Sequence, residues 1–348
     1  MSDRLGFGMI GCGEIAVHTS KAVLESQGCR VVHCMDTAGD LAGDLAAKHD
    51  ARSTDDLETL LADDDVKAVV ISTPHYLHAP LSIRAAEAGK HVLVEKPIAC
   101  TLAQADEMIG AAEAAGVKLG VLLPSRLGFG PEKARELLAA GALGKVLAVK
   151  FHAMARKPDH YWHGGYTGRN KNDWRISLEK SGGGYLIMNM VHDIDTLVSI
   201  IDPRPQRIYA EYATFLTEAE VEDYLTFVMR LEDGAIWSLD GSSAAAGGES
   251  HGDRIYGEKG QIALGGPDCR VHLTEAHDDI KADEWVSLPQ PEGRPGSRTL
   301  MVDGFADAVR SGGEVPVPGA EGRRSLEIIR GAYLSMKAGG PLEFPIKE

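Results

Sequence analysis

The chain has 348 residues, of which 44% are hydrophobic and 25% charged; these are ordinary globular values, and the length exceeds the ~250–300 residues at which a single core stops growing, so two domains are expected. A formal net charge of −15 argues against a nucleic-acid partner, which needs a basic stripe, and no apolar run approaches the ~20 residues that span a bilayer. The five cysteines, Cys12, Cys29, Cys34, Cys100 and Cys269, make no CxxC pair, so neither a zinc site nor a disulfide framework is read, and no metal is expected.

An apolar run from Leu5 to Ile10 predicts the first strand, and it leads into Gly11-Cys12-Gly13-Glu14-Ile15-Ala16. This is G-x-G-x-x-A, a strand turning tightly into a helix. Gly11 allows the turn, Gly13 lets backbone approach a pyrophosphate, and the small Ala16 lets helix and strand pack closely. The helix N-terminus offers N–H groups and a positive dipole end to phosphate. A strand this early leaves no room for a signal peptide, so a cytoplasmic setting is expected. Val31 to Met35 reads as a second buried strand ending at Asp36, 20 residues past Ala16, where an acid meets the adenosine ribose hydroxyls. A carboxylate there repels a 2′-phosphate, and Thr37 follows in place of an arginine, which predicts NAD over NADP. The competing role for Asp36 is that of a turn cap.

Further along, Ser53 to Leu61 reads as a short helix with Leu57, Leu60 and Leu61 inward, and Ala68 to Ser72 as a strand buried on both faces. His91 to Val94 is another strand, running into Glu95-Lys96-Pro97. Thr101-x-x-Gln104 is a capping box opening a helix that Gly116 ends, and Val117 to Leu123 is one more strand. Strands alternating with helices over residues 1–123 predict a doubly wound parallel sheet, a dinucleotide-binding Rossmann domain. From 124 to 348 the texture differs. A helix is bracketed by Pro131 and Gly141, a long strand spans Val146 to Ala155, and residues 157–175 are irregular. Ser181-Gly182-Gly183-Gly184 introduces a helix to about Ile201. Strand-like runs follow at 206–213, 223–231, 234–241, 253–257 and 261–264, with Asp233-Gly234 as a hairpin signal, and two helices near 298–310 and 321–337 close the chain. Consecutive strands without intervening helices predict an α/β domain with a large, mostly antiparallel open-faced sheet.

With GCGEIA (11–16), ISTPHYLHAP (71–80), VEKPIA (94–99), GALGKV (141–146) and GGGYLIMNMVHDID (182–195) in view, the chain resembles the Gfo/Idh/MocA oxidoreductases. The resemblance covers most of the sequence and implies a Rossmann domain followed by an open-sheet α/β domain. It also implies oxidation or reduction of a secondary alcohol on a sugar, cyclitol or related polyol, in a homodimer or homotetramer built through the open sheet face. It gives Lys96 and His192 catalytic roles. Many members carry an Asp four residues before this histidine; here Met188 stands there, and Asn189 binds a substrate hydroxyl instead. Tyr185, Asn189, His192 and Thr196 read as one helical face. Asp195 either orients the imidazole or is a helix-surface acid.

The cofactor set this implies is Gly11, Cys12, Gly13, Glu14 and Ile15 at the turn, Asp36 and Thr37 at the adenosine end, and Ser72, Thr73, Pro74, His75 and His78 at the cofactor edge. His78 has the alternative of merely starting a helix. Glu95, Lys96, Arg126, Trp174 and Arg175 complete it, the Trp-Arg pair at the nicotinamide end. Substrate is assigned to Lys96, Tyr161, Trp162, Arg169, Arg175, Asn189 and His192, because donor-rich aromatics suit a polyol. The expected activity is NAD-dependent dehydrogenation of a ring secondary alcohol, with Lys96 polarising the oxygen and His192 as acid or base. Its rivals are redox-neutral elimination or glycoside cleavage with NAD regenerated in each cycle, a non-catalytic dinucleotide-binding sensor, and a metal-dependent isomerase.

Overall fold

The computed structural model describes residues 4–248, 253–265 and 269–348. The chain forms two compact units, Met1–Pro124 with Pro158–Gly182 and Pro295–Leu326, and Ser125–Lys157 with Gly183–Arg294 and Glu327–Glu348. Compactness therefore divides the molecule differently from two contiguous spans, 1–123 and 124–348.

The first unit opens with β1 (Leu5–Ile10), α1 (Glu14–Glu25), β2 (Cys29–Met35), α2 (Gly39–Ala47), β3 (Arg52–Thr54), α3 (Leu57–Leu61), β4 (Ala68–Ile71), α4 (His78–Glu87), β5 (His91–Glu95), α5 (Leu102–Ala115) and β6 (Leu119–Leu122). The six strands are parallel in the order β3-β2-β1-β4-β5-β6. Every residue of β1, β4 and β6 is buried, as apolar strands covered on both faces must be. This is the doubly wound dinucleotide order, whose ligand crevice lies outside the carboxyl ends where β1 and β4 diverge. The cap forms with one change: Thr101 accepts from the Gln104 N–H as expected, while the Gln104 side chain accepts from the Cys100 N–H, one residue before the N-cap, and Gly116 ends the helix at φ +66°. The helix read over 53–61 begins only at Leu57, because the Asp56 carboxylate takes the Thr59 N–H at 2.9 Å. Ser53 and Thr54 instead pair along β2.

The chain continues through α6 (Phe129–Ala139), β7 (Val146–Met154), α7 (Asp159–Gly164), α8 (Leu178–Ser181), α9 (Val191–Ile201), β8 (Pro205–Ala213), β9 (Tyr224–Leu231), β10 (Ile236–Ser242), β11 (Arg254–Gly257), β12 (Gly260–Leu264), β13 (Cys269–Leu273), β14 (Trp285–Leu288), α10 (Ser297–Ser311), α11 (Gly319–Ala338) and β15 (Leu342–Glu343). Segment 295–326 joins the first unit through specific contacts. The Phe305 and Phe7 rings lie 6.1 Å apart, the Val317 carbonyl accepts from the Val121 N–H, and Arg298 meets Glu95.

The second unit is built on a nine-stranded sheet, β14-β13-β12-β11-β7-β10-β9-β8-β15, in which β7 and β10 run parallel and the other described pairs antiparallel. The Asp233-Gly234 hairpin joins β9 to β10 with Gly234 at φ +92°. One register row, Ile208, Met229, Trp237, Val149, Ile255, Ile262 and Val271, is buried across seven strands. The opposite face leaves Tyr209, Val228, Ile236 and Trp285 exposed. Helix α6 packs against α9 and on β12 and β13.

Candidate active site

The glycine-rich turn has the geometry its sequence requires. Gly11 sits at φ +85°, and a β-carbon there would meet the Ser72 carbonyl oxygen at 2.7 Å. A larger residue is excluded twice over, by conformation and by space. A β-carbon on Gly13 would meet nothing within 4 Å, so open room lies over the turn at the start of α1, where a pyrophosphate is held. Ala16 is fully buried.

Asp36 is buried at the end of β2, and its carboxylate accepts the Cys12 N–H at 2.7 Å and the Ala38 N–H at 2.9 Å. It therefore braces the turn. Each oxygen retains acceptor capacity beyond these bonds, which is what ribose hydroxyls need. Thr37 beside it is exposed. At the end of β4 the Ser72 and Thr73 hydroxyl oxygens are buried and have no hydrogen-bond partner among the described residues. Buried hydroxyls are normally paired, so these two fit a cofactor edge that supplies their partners.

His75 lies in the following loop with its Nδ1 2.8 Å from the Ser181 carbonyl and its ring 4.5 Å from that of Trp174. Burial, then the neighbouring His78 and the Lys96 ammonium, push the His75 imidazole well below its usual range. It is neutral and donates to the carbonyl. His78 departs from its expected role at the cofactor. It is fully buried, with Nδ1 2.7 Å from the Pro97 carbonyl and Nε2 3.0 Å from the Thr73 carbonyl. Both ring nitrogens face backbone carbonyls, and the nitrogen that carries the proton donates, so the ring ties the Glu95-Lys96-Pro97 loop to the β4 loop.

Lys96 follows β5, at the carboxyl edge where open α/β sheets bind ligands. Behind it, buried Glu95 accepts from Arg298 at 2.7 Å and from Thr19 at 3.1 Å, fixing the end of β5 to α10 and α1. Arg175 lies over the rings of Trp174 and Tyr161, at 4.7 and 5.2 Å. Tyr161 in turn contacts Trp162 and Tyr166. The first unit thus brings the glycine turn, Asp36, Ser72, Thr73, His75, Lys96, Trp174 and Arg175 to one sheet edge and its covering segment. Tyr161 and Trp162, expected at the substrate, are buried as the packing layer of that segment. Arg169, also expected there, reaches instead to the glycine turn, its Nε donating to the Cys12 carbonyl at 3.2 Å.

Arg126, Asn189 and His192 belong to the second unit. His192 and Asn189 are partly exposed on and before α9. A π-turn over Leu186–Met190 precedes the helix. It takes up more chain per turn than an α-helix, so the single α-face read through Tyr185, Asn189, His192 and Thr196 is not carried across it. Gly183 adopts φ +150° against the Tyr333 hydroxyl. Glu222 accepts from the Gly184 N–H at 2.7 Å, the Leu186 N–H at 2.9 Å and the Tyr333 hydroxyl at 2.9 Å. Burial pushes the Glu222 carboxyl up against these bonds. Glu222 and Tyr333 hold the glycine run in place, and no motif in the sequence announced either one. Arg126, expected at the cofactor, makes a bidentate pair with fully buried Asp195, at 2.8 and 2.5 Å. Both Asp195 oxygens are thereby engaged. Among the described residues no group of three or more His, Cys, Asp or Glu is placed to hold a metal ion, and no helix is long and apolar enough to cross a membrane.

Residues 5–123 match the oxidoreductase family with an NAD-binding Rossmann fold, and residues 132–263 match the GFO/IDH/MocA C-terminal domain. A 1,5-anhydro-D-fructose reductase of Ensifer adhaerens is 30% identical over 259 residues, 74% of each chain. A 2,7-anhydro-N-acetylneuraminate hydratase of Mediterraneibacter gnavus is 29% identical over 273 residues, 76% of this chain and 68% of the other. The WlbA dehydrogenase from Bordetella pertussis, solved with NADH and UDP-GlcNAcA, superposes with a TM-score of 0.84 at 25% identity, over 99% of this chain and 100% of the other. By glycine turn, sheet order and sequence match, this chain is a member of the GFO/IDH/MocA oxidoreductase family, with an NAD-binding Rossmann fold.

Proposed function

We propose that the protein is an NAD-preferring dehydrogenase acting on a ring secondary alcohol of a sugar, sugar derivative or cyclitol. The observation that carries this reading is Lys96 at the carboxyl end of β5, on the same sheet edge as two unpartnered hydroxyls, Ser72 and Thr73. Those hydroxyls and the open turn at Gly13 would hold the cofactor, with His75 and Trp174 as apolar ring surface at its reactive end. Bound NAD supplies the hydride acceptor for the carbinol carbon. The Lys96 ammonium hydrogen-bonds the reacting oxygen and stabilises the negative charge that develops on it. His192 takes the hydroxyl proton, or returns it in the reverse direction, and Asn189 binds a neighbouring hydroxyl. Asp36 at the adenosine end disfavours a 2′-phosphate. The exposed side chains of Tyr209, Val228, Ile236 and Trp285 on the open sheet face fit a second copy of the chain.

Two of the three relatives named above act, by name, on anhydro-sugar compounds, which makes cyclic anhydro-sugars the first substrates to try. The relative named as a hydratase favours a second reading, in which oxidation acidifies a neighbouring carbon, elimination follows, and NAD is regenerated within the cycle. One experiment separates the two. The enzyme is incubated with NAD and a panel of sugars, anhydro-sugars and cyclitols while NADH absorbance and substrate consumption are followed together. Stoichiometric NADH supports the dehydrogenase, and substrate loss without NADH supports the redox-neutral cycle. Binding of NADH with no turnover of any polyol would sink both.

A further inference from the structure

The segment from Gly165 to Arg169 crosses the glycine turn and is tied to it at two points. At one end the Tyr166 N–H donates to Glu14 Oε2 at 3.0 Å. There Gly165, at φ +70°, approaches the Glu14 carboxylate so closely that a β-carbon would overlap it. At the other end the Arg169 guanidinium donates to two backbone carbonyls, Cys12 at 3.2 Å and Leu41 at 3.4 Å, and stands 3.6 Å from Asp44. The side chain is largely buried by this placement, with 20% of it exposed.

Carbonyl oxygens orient a guanidinium but do not cancel its charge. Its carboxylate neighbour Asp44 is 66% exposed, and their separation exceeds the 2.7–2.9 Å of a charge-assisted bond. Such a pair is weak and screened. A cation is therefore held over the peptide between Gly11 and Gly13, beside the open space at Gly13. A dinucleotide brings a doubly charged diphosphate to that space, and the planar fork of an arginine matches phosphate oxygens in pairs.

We propose that residues 165–169 form a strap over the dinucleotide and that Arg169 is a ligand of its diphosphate, controlling cofactor retention rather than substrate choice. The proposal rests on the NAD-binding reading of this unit. Glu14 sets the opposite end of the strap. Its carboxylate accepts the Tyr166 N–H and so holds the loop.

The test measures equilibrium binding of NADH, ADP and adenosine, with NADH release followed by stopped flow, for the wild type, Arg169→Ala and Arg169→Lys. Arg169→Ala should weaken NADH and ADP alike by ~10–100-fold, the range for losing a hydrogen bond to a charged group. It should also speed NADH release and leave adenosine, which lacks the diphosphate, unchanged. Arg169→Lys keeps the charge, loses the fork, and should recover only part of the affinity. Unchanged ADP affinity in Arg169→Ala overturns the proposal, and a rise confined to the sugar KM returns Arg169 to the substrate. If thermal melting shows Arg169→Ala unfolded, Arg169→Lys decides, since wild-type ADP affinity in it overturns the fork contact. A wild type that binds neither NADH nor ADP refutes the cofactor reading itself, a result distinct from equal binding by wild type and variants.

Discussion

Asp195 lies on α9, the helix that carries His192, with its carboxylate completely buried against the Arg126 guanidinium, which is itself only 8% exposed. Two parallel contacts, Nε to Oδ2 at 2.8 Å and Nη2 to Oδ1 at 2.5 Å, use both carboxylate oxygens. Asp195→Asn keeps the volume but removes the negative charge and turns an NH2 group toward a donor. The guanidinium is then left buried beside a neutral amide. Breaking a buried pair by removing one partner costs about 3–5 kcal/mol. At roughly 2–4 °C per kcal/mol for a unit of 150–250 residues, the melting temperature should fall by ~6–20 °C. Replacing both partners by apolar residues, Arg126→Met with Asp195→Leu, removes both charges together and should restore most of the loss. Thermal and urea unfolding of the two single variants and the double variant form the cycle. NADH titration of the double variant then asks what else Arg126 does. Affinity near that of the wild type means that the arginine serves the fold, whereas a loss beyond ~10-fold makes it the cofactor ligand the family resemblance implies. An Asp195→Asn protein melting within ~1 °C of the wild type, or single losses that simply add in the double variant, would refute the reasoning.

His192→Ala should lose ~10²-fold or more in kcat and flatten the pH dependence near neutrality, where histidines ordinarily change charge, while still binding NADH. Lys96→Met should be at least as severe, again with NADH binding retained; normal turnover in either variant removes that residue from the chemistry. Asp36→Ser combined with Thr37→Arg should move preference from NAD toward NADP in side-by-side kcat/KM measurements, and a wild type already indifferent to the 2′-phosphate contradicts the role given to Asp36. Burial opposes the charge on Asp63, but the Asp65 N–H, His33 and Arg52 outweigh it and hold the carboxyl below its usual range. A depressed folded value means that the stabilisation is present above the unfolded carboxylate pKa of about 4 and is lost as pH falls through the lower folded value. Asp63→Asn should therefore melt lower than the wild type at neutral pH, with the gap closing in acid; a gap independent of pH would show that the charge contributes nothing.

The parallel, doubly wound character of the first unit was legible because its determinants are local. Buried strands appear as apolar runs, the turn at Gly11 demands a positive φ, and Asp36 falls at the distance set by one βαβ unit. The Thr101 capping box and the Asp233-Gly234 hairpin were readable for the same reason, since each is closed by residues a few positions apart. Short edge strands escaped. β3 and β15 have three and two residues, too few to show a period, and are defined by the neighbour they pair with. The roles of His78, Arg126 and Arg169 were decided only by tertiary structure. A histidine after β4 reads the same whether it faces a ligand or two carbonyls. The chemistry of an arginine depends on whether its charge meets Asp195, from 69 positions away, or the Cys12 carbonyl, from 157. Glu222 and Tyr333 hold the glycine run without any local signal, because the bonds that place them join segments 36 to 146 residues apart. Local sequence specifies backbone conformation and which face is apolar; the partner of a buried charge is specified by the fold, through desolvation that only a completed interior imposes.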